Sequence, residues 1–208
     1  MGSVIFVDGP TAVGKGHFIN QLKERLEKEG KPVISFNLSE FVTAKTPTEA
    51  RKYTQYATTD DDITIIHKAH LEAIDHLLAL LEKHEDQRII VDRSYVTFVI
   101  YNLANIKNKY TRMGYIEEYR RKLQELSKEH QVTYIQLEHD LENDFTVDKL
   151  LDLTRTRILS RDDGKEIDEQ WILKLNTAYH FVGKRVAGIY NETHFLTSSD
   201  IDLVPARL

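Results

Sequence analysis

The sequence predicts an α/β fold, a parallel sheet of about five strands flanked by helices, in one domain spanning residues 1–208. Short apolar runs bounded by polar residues recur along the chain, as in Val4-Ile5-Phe6-Val7 and Ile89-Ile90-Val91. Longer stretches between them carry apolar residues at helical spacing. Strands that alternate with helices imply parallel pairing through right-handed crossovers.

In chain order, Met1–Val7 is a first strand. Phe18, Ile19, Leu22 and Leu26 lie at helical spacing, and Gly30 ends that helix. Pro32–Leu38 is a second strand, with Ser39-Glu40 at its end. Thr43–Asp62 is polar, contains Pro47 and reads as a helix-and-loop insert over a site. Ile65, Ile66, Ala69, Ala73, Leu77, Leu80 and Leu81 form the stripe of a long helix. Arg88–Asp92 is a third strand, apolar in its middle as a buried parallel strand is. Arg93–Asn108 and Gly114–His130 read as two helices, Val132–Leu137 as a fourth strand. Leu141–Arg161 is helical and is broken by Asp162-Asp163-Gly164. Asp168–Arg185 is a last helix, and His194–Thr197 a short last strand.

Composition narrows the function classes. Of 208 residues, 41% are hydrophobic and 29% charged, the balance of an ordinary globular domain. Cysteine is absent, which removes thiol nucleophiles, disulfides and cysteine metal sites and fits a reducing cytoplasm. A net charge of −5 argues against binding nucleic-acid polymers or anionic membranes. No run approaches the ~18 apolar residues of a membrane span. The N-terminus reads as a core strand rather than a secretory leader, because it lacks a basic segment and runs straight into a glycine-rich loop.

That loop is Asp8-Gly9-Pro10-Thr11-Ala12-Val13-Gly14-Lys15-Gly16, set between strand and helix and followed by His17. Backbone N–H groups of the Gly9–His17 loop, in which only Pro10 lacks one, and of the helix N-terminus make a cradle for phosphates, and Lys15 adds a full positive charge. The pattern predicts binding of a nucleoside triphosphate. The hydroxyl that usually follows the lysine and binds Mg²⁺ is missing, since Gly16 stands there. The metal then needs phosphates, waters and a carboxylate from elsewhere.

Sites in such sheets lie beyond the carboxyl ends of the strands. Lys15, Glu40 and the pair Asp92-Arg93 fall at three such ends. Phosphoryl transfer requires that convergence, because it needs charge neutralisation, a metal, alignment and a group that orients the attacking oxygen. Asp92 suits Mg²⁺ or its waters, Arg93 a phosphate or the acceptor oxygen, and Glu40 the proton of an attacking hydroxyl. The plainer alternatives are a solvated loop carboxylate for Glu40 and a surface ion pair for Asp92-Arg93. Arg155, Arg157 and Arg161 form a second basic cluster. Their spacing does not put all three on one helix face, so they read either as a closing lid or as a solvated basic face.

Asp92-Arg93-Ser94, followed by Phe98 and Tyr101-Asn102-Leu103, resembles the Glu-Arg-Ser segment of deoxyribonucleoside kinases. Arg161–Ile167, followed by Leu173–Asn176, is similar to the lid of that family. The Asp-Arg pair also resembles the thymidylate kinase branch. The resemblance implies a P-loop kinase fold with an Arg-rich lid over about residues 155–167 and an acceptor-binding insert over about residues 40–75. It implies a cytoplasmic ATP-dependent kinase using Mg²⁺, with Lys15, Glu40, Asp92, Arg93, Arg157 and Arg161 in catalysis. The acceptor is a deoxynucleoside phosphorylated at its 5′ position, or alternatively a deoxynucleoside monophosphate. Kinases of this shape often pair through the helices after the second and third strands, so the resemblance admits a homodimer.

The departures bear on the acceptor. The family's Glu-Pro-Val is absent at Glu40, and Gly164 stands where a sugar-binding lid Glu is expected. A monophosphate needs cations for its phosphate, and Arg51, Lys52 and Arg93 are available. On the helix from Asp62, His67, His70 and Glu72 are the candidate polar contacts of the acceptor base, with Tyr53 and Tyr56 near the sugar; the plainer alternative for each His is a surface or capping residue. By fold analogy the ATP adenine lies against Ser198–Asp202. Trp171 reads as core. A nucleotide-binding module without catalysis is the third alternative, and the missing hydroxyl after Lys15 motivates it. No Asn-Lys-x-Asp element supports a switch GTPase.

Overall fold

The computed structural model describes residues 2–10, 13–30, 32–46, 59–83, 87–102, 109–139, 151–152, 156, 169–197, 199–200, 202 and 204. In chain order the elements are β1 (Ser3–Asp8), α1 (Lys15–Lys28), β2 (Val33–Asn37), α2 (Leu38–Lys45) and α3 (Asp60–Lys83). These are followed by β3 (Arg88–Asp92), α4 (Tyr95–Tyr101), α5 (Lys109–Glu129), β4 (Gln131–Leu137) and α6 (Glu169–Ala178). A π-helical turn (Tyr179–Gly183) continues α6 into the short α7 (Lys184–Ala187), and β5 is Glu192–Leu196.

The five strands form one parallel sheet in the order β2-β3-β1-β4-β5. Side chains alternate across its two faces with period two. Val4 and Phe6 of β1 join Ile89, Val91, Val132 and Tyr134 in the larger core, packed against α3, α4 and α5. Ile5 and Val7 join Ile90, Ile135 and Leu137 in the smaller core, packed against Phe18, Ile19, Leu22 and Leu26 of α1. The chain moves one way across the sheet from β1 to β2 and the other way thereafter. Right-handed crossovers therefore put α1 on one face and the later helices on the other.

Local chemistry fixes the ends of the elements. Gly30, at φ 79°, takes the left-handed conformation that ends α1. Asn37 caps α2 by accepting the Glu40 N–H at 3.2 Å. Thr59 Oγ1 accepts the Asp62 N–H at 3.2 Å, and Asp60, Asp61 and Asp62 place negative charge in the first turn of α3. Along α3 the expected stripe is rotated slightly. Ile65 and Leu80 are half-buried, while Ile63 and Ile74 take interior positions.

The two helices after β3 start elsewhere than expected. Helix α4 starts at Tyr95 rather than Arg93, because Arg93 has a left-handed backbone (φ 83°) and Ser94 caps the helix by accepting the Val96 N–H at 3.0 Å. Helix α5 starts at Lys109, so Gly114 lies inside it rather than at its start. An interior glycine costs about 1 kcal/mol, and the flanking turns carry that cost. Of the expected helix Leu141–Arg161, only Leu151, Asp152 and Thr156 are described, all helical. No helix among the described residues is long and apolar enough to cross a membrane.

The end of β1 leaves no room for a side chain at Gly9. A Cβ there would stand 2.7 Å from the Leu137 carbonyl oxygen, and its φ of 154° disfavours other residues. Gly9→Ala is expected to destabilise the fold by about 2 kcal/mol or more, read as a lowered urea midpoint at unchanged slope.

Candidate functional site

The carboxyl ends of the strands are aligned by register. Asn37 pairs with Asp92, Asp92 with Val7, Val7 with Ile135, and Ile135 with His194. One step beyond that row lie Leu38, Arg93, Asp8, Gln136 and Phe195. After β1 the chain leaves toward α1 on one face, and after the adjacent β3 it leaves toward α4 on the other. A crevice opens where neighbouring strands diverge in this way.

Asp8 stands at the centre of the crevice floor. Strand alternation aims its side chain to the face of Val4 and Phe6, opposite the helix its own loop feeds. The carboxylate is 0% exposed. It accepts the Gly9 N–H at 2.8 Å, Ser94 Oγ–H at 2.6 Å, the Thr97 N–H at 3.2 Å, Thr97 Oγ1–H at 2.8 Å and Tyr179 O–H at 3.2 Å. Arg93 Nη1 approaches it at 3.4 Å. A buried carboxylate is stable only when so provided. Its lone pairs are all engaged, which leaves none for a metal.

Arg93 follows β3 with its N–H bonded to the Val7 carbonyl at 2.9 Å. Its Nη1 also donates to the Gly9 carbonyl at 2.8 Å and to the Tyr179 hydroxyl at 3.3 Å. Burial works against its charge, but Tyr179 and Asp8 outweigh burial and raise the pKa. Burial, with Asp8 beside it, raises the Tyr179 hydroxyl well above its usual range, so that group stays protonated and donates.

Lys15 opens α1 after Gly14, whose φ of 85° turns the chain into the helix. The lysine side chain is only 10% exposed and its ammonium pairs with the Asp92 carboxylate, which is 34% exposed. Burial and then Arg93 lower the lysine pKa, while Asp92 holds it up. Asp92 is thus the accessible carboxylate of the crevice and Asp8 the enclosed one. A single carboxylate beside phosphates suits Mg²⁺, which keeps several of its waters. Among the described residues no three His, Cys, Asp or Glu side chains gather as an all-protein metal site. A Cβ at Gly16 would meet nothing within 4 Å, so crowding does not exclude a hydroxyl there.

The π turn supplies Tyr179. Its extra residue per turn frees a carbonyl, and Gln136 Nε2 donates to the Tyr179 carbonyl at 3.1 Å. Gln136 is fully buried on the Asp8 face of β4. A Cβ at Gly183 would stand 2.6 Å from Gln136 Oε1, so a side chain there would displace the Gln136 amide.

Glu40 lies on the first turn of α2, not in a loop. Its carboxylate accepts the Asn37 side-chain amide at 2.8 Å and is exposed. It lines an open groove of about 380 Å³ with Ser39, Thr43 and Ala44. His67 and His70 do not line that groove, and both are buried. His67 contacts Glu118 at 3.0 Å and Tyr95 at 2.8 Å and stacks on Tyr115. His70 Nδ1–H donates to the Ile66 carbonyl at 2.9 Å. Glu72 is exposed and pairs with Lys45 at 3.3 Å.

Of the expected cradle, Gly9, Pro10, Val13, Gly14, Lys15, Gly16 and His17 are described, with Pro10 and Val13 buried and Gly16 and His17 exposed. Thr11, Ala12, Arg51, Lys52, Tyr53, Tyr56, Arg155, Arg157, Arg161, Ser198 and the Trp171 side chain lie outside the described residues. Near the expected adenine contact, Asp200 Oδ2 accepts the Thr197 N–H at 2.7 Å. The structure therefore joins Lys15, Asp92 and Arg93, and adds Asp8, Ser94, Thr97, Gln136 and Tyr179, which sequence reasoning missed. The Val4-Phe6-Asp8 alternation was the signal for the first of these. No family model matches the chain, and no curated protein is detectably similar to it.

Burial lowers the His70 pKa to about 4. A folded-state pKa below the unfolded value of ~6.5 gives stability that is present above pH 6.5 and lost as pH falls toward 4. The expected loss is about 3 kcal/mol by pH 4. His70→Phe keeps the packing and removes the titration, so its melting temperature should fall less steeply than the native one between pH 6.5 and 4.

Proposed function

We propose that the protein is an ATP-dependent kinase that transfers the γ-phosphoryl group to the 5′ position of a deoxynucleoside. The observation that carries this is the meeting of Lys15, Asp92 and Arg93 at the ends of two adjacent strands whose chains leave on opposite faces. Three charged groups at a switch point, beside the N-terminus of a helix of 14 residues, provide what a triphosphate needs.

The chemistry follows from the residues. Backbone N–H groups at the start of α1 and the Lys15 ammonium hold the phosphates. The Asp92 carboxylate would hold Mg²⁺ or its waters, with Lys15 shifting its contact from that carboxylate to phosphate oxygens. Bound Mg²⁺ would neutralise the charge that collects on those oxygens. Arg93 presents a fixed positive charge to the transferring group, with no reorganisation at the moment of reaction. The acceptor oxygen bonds to the γ-phosphorus, the bond to ADP breaks, and the hydroxyl proton passes to Glu40.

One observation favours the second reading, a deoxynucleoside monophosphate kinase of the thymidylate kinase kind. The Glu40 carboxylate is engaged with its capping residue Asn37, and a phosphate acceptor requires no general base. In that case Arg51, Lys52 and Arg93 bind the acceptor phosphate and Glu40 serves the helix. If neither acceptor class is turned over, the protein is a nucleotide-binding module.

An ADP-release assay with ATP and Mg²⁺, run separately on deoxynucleosides and their monophosphates, tests the reading. Lys15→Ala is expected to abolish turnover. Glu40→Gln is expected to lower kcat ~100-fold on a nucleoside and to leave it near native on a monophosphate. Turnover that survives Lys15→Ala would sink the mechanism.

A further inference from the structure

Arg93 is held in an unusual way for a group that must meet a substrate. Its backbone is left-handed at φ 83°, a conformation that costs a non-glycine residue about 1 kcal/mol or more. The surrounding structure must compensate. The turn carries the guanidinium back across β3 to β1, where Nη1 meets the Gly9 carbonyl, the Tyr179 hydroxyl and the Asp8 carboxylate at 2.8, 3.3 and 3.4 Å. The side chain keeps 23% of its surface exposed, so one end of the arginine is enclosed and the rest is accessible.

We propose that Asp8, the Gly9 carbonyl and Tyr179 form a guanidinium cage, and that Tyr179 is a positioning residue acting through Arg93. Asp8 supplies the charge that retains the guanidinium. Tyr179 supplies its direction, because one hydroxyl accepts from Arg93 and donates to Asp8 or Thr97 Oγ1, at 3.2 and 2.8 Å. The π turn is the device that delivers this hydroxyl, and Gln136 with Gly183 fixes the turn. Asp92 is a third exposed and its ion pair is with Lys15, whereas the Arg93 guanidinium is held by three acceptors. The role assigned to Arg93 rests on the kinase reading, and the cage itself does not.

The test empties the cage and refills it. Arg93→Gly removes the side chain and suits a left-handed φ. In the full chain, low-millimolar guanidinium chloride, against matched sodium chloride, is expected to raise the melting temperature of Arg93→Gly saturably. The native chain should not respond, and Arg93→Gly/Tyr179→Phe should need at least ten-fold more guanidinium. An absent response in Arg93→Gly, or an equal one in the double variant, overturns the cage. If Arg93→Gly does not fold, NMR of the Arg93 guanidinium decides instead. Restricted Nη1 rotation in the native chain that is averaged in Tyr179→Phe supports the cage, and unchanged restriction overturns it. In the ADP-release assay Tyr179→Phe should lower kcat about ten-fold with KM within two-fold, and an unchanged kcat removes the positioning role. A guanidinium response without turnover on any acceptor leaves the cage standing and removes the kinase.

Discussion

The site is organised around one buried carboxylate. Asp8 ends the central strand, has no contact with water, and binds groups from three segments that the sequence separates widely. These are Gly9 of its own loop, Arg93, Ser94 and Thr97 after β3, and Tyr179 of the π turn. An ionised carboxylate in such a place is tolerable only while its donors stay in position. Removing one partner of a buried charge costs about 3–5 kcal/mol. The same energetics that keep Asp8 satisfied therefore hold the three segments together. The sheet brings strand ends into register, and Asp8 sets the geometry of what lies beyond them.

This gives the two aspartates at the strand ends different work. Asp8 is enclosed and saturated, so it orients its neighbours. Among the described residues Asp92 forms its ion pair with Lys15 and is partly exposed, so an incoming charged group can compete for it. Arg93 lies between them, fixed on the Asp8 side. Fixed charges in a low-dielectric floor and a more exposed pair at the mouth are what the proposed phosphoryl transfer calls for.

The fold was legible because its signals are local. Apolar strands separated by helical stripes place all five strands within a residue or two, and Gly30 marks a helix end for a simple steric reason. The boundaries that shifted depend on contacts from elsewhere. Arg93 is excluded from α4 by a backbone conformation that its bonds to Val7 and Gly9 impose, and nothing in its own neighbourhood announces this. At the candidate site, the nearness of Lys15, Asp92 and Arg93 was legible from the loop and the strand ends. Tyr179 was not, since a π turn reads as ordinary helix until Gln136, 43 residues earlier, is seen donating to its carbonyl. In sequence Asp8 is one letter of a glycine-rich loop, although the alternation of Val4 and Phe6 carries its side chain inward. His67 and His70 show the reverse. Polar residues on an amphipathic helix suggest a ligand, yet both lie within the core, bonded to Glu118, Tyr95 and a backbone carbonyl.

Calorimetric titration of ATP with Mg²⁺ into the native chain and into Asp8→Asn probes this organisation directly. Asparagine keeps the shape and removes the charge, and far-UV circular dichroism reports whether the sheet survives. The native chain should bind ATP, and a folded Asp8→Asn should bind it at least ten-fold more weakly, because the loop and Arg93 are no longer held. Equal affinity in the two chains, or no binding by the native one, would contradict the organising role of Asp8.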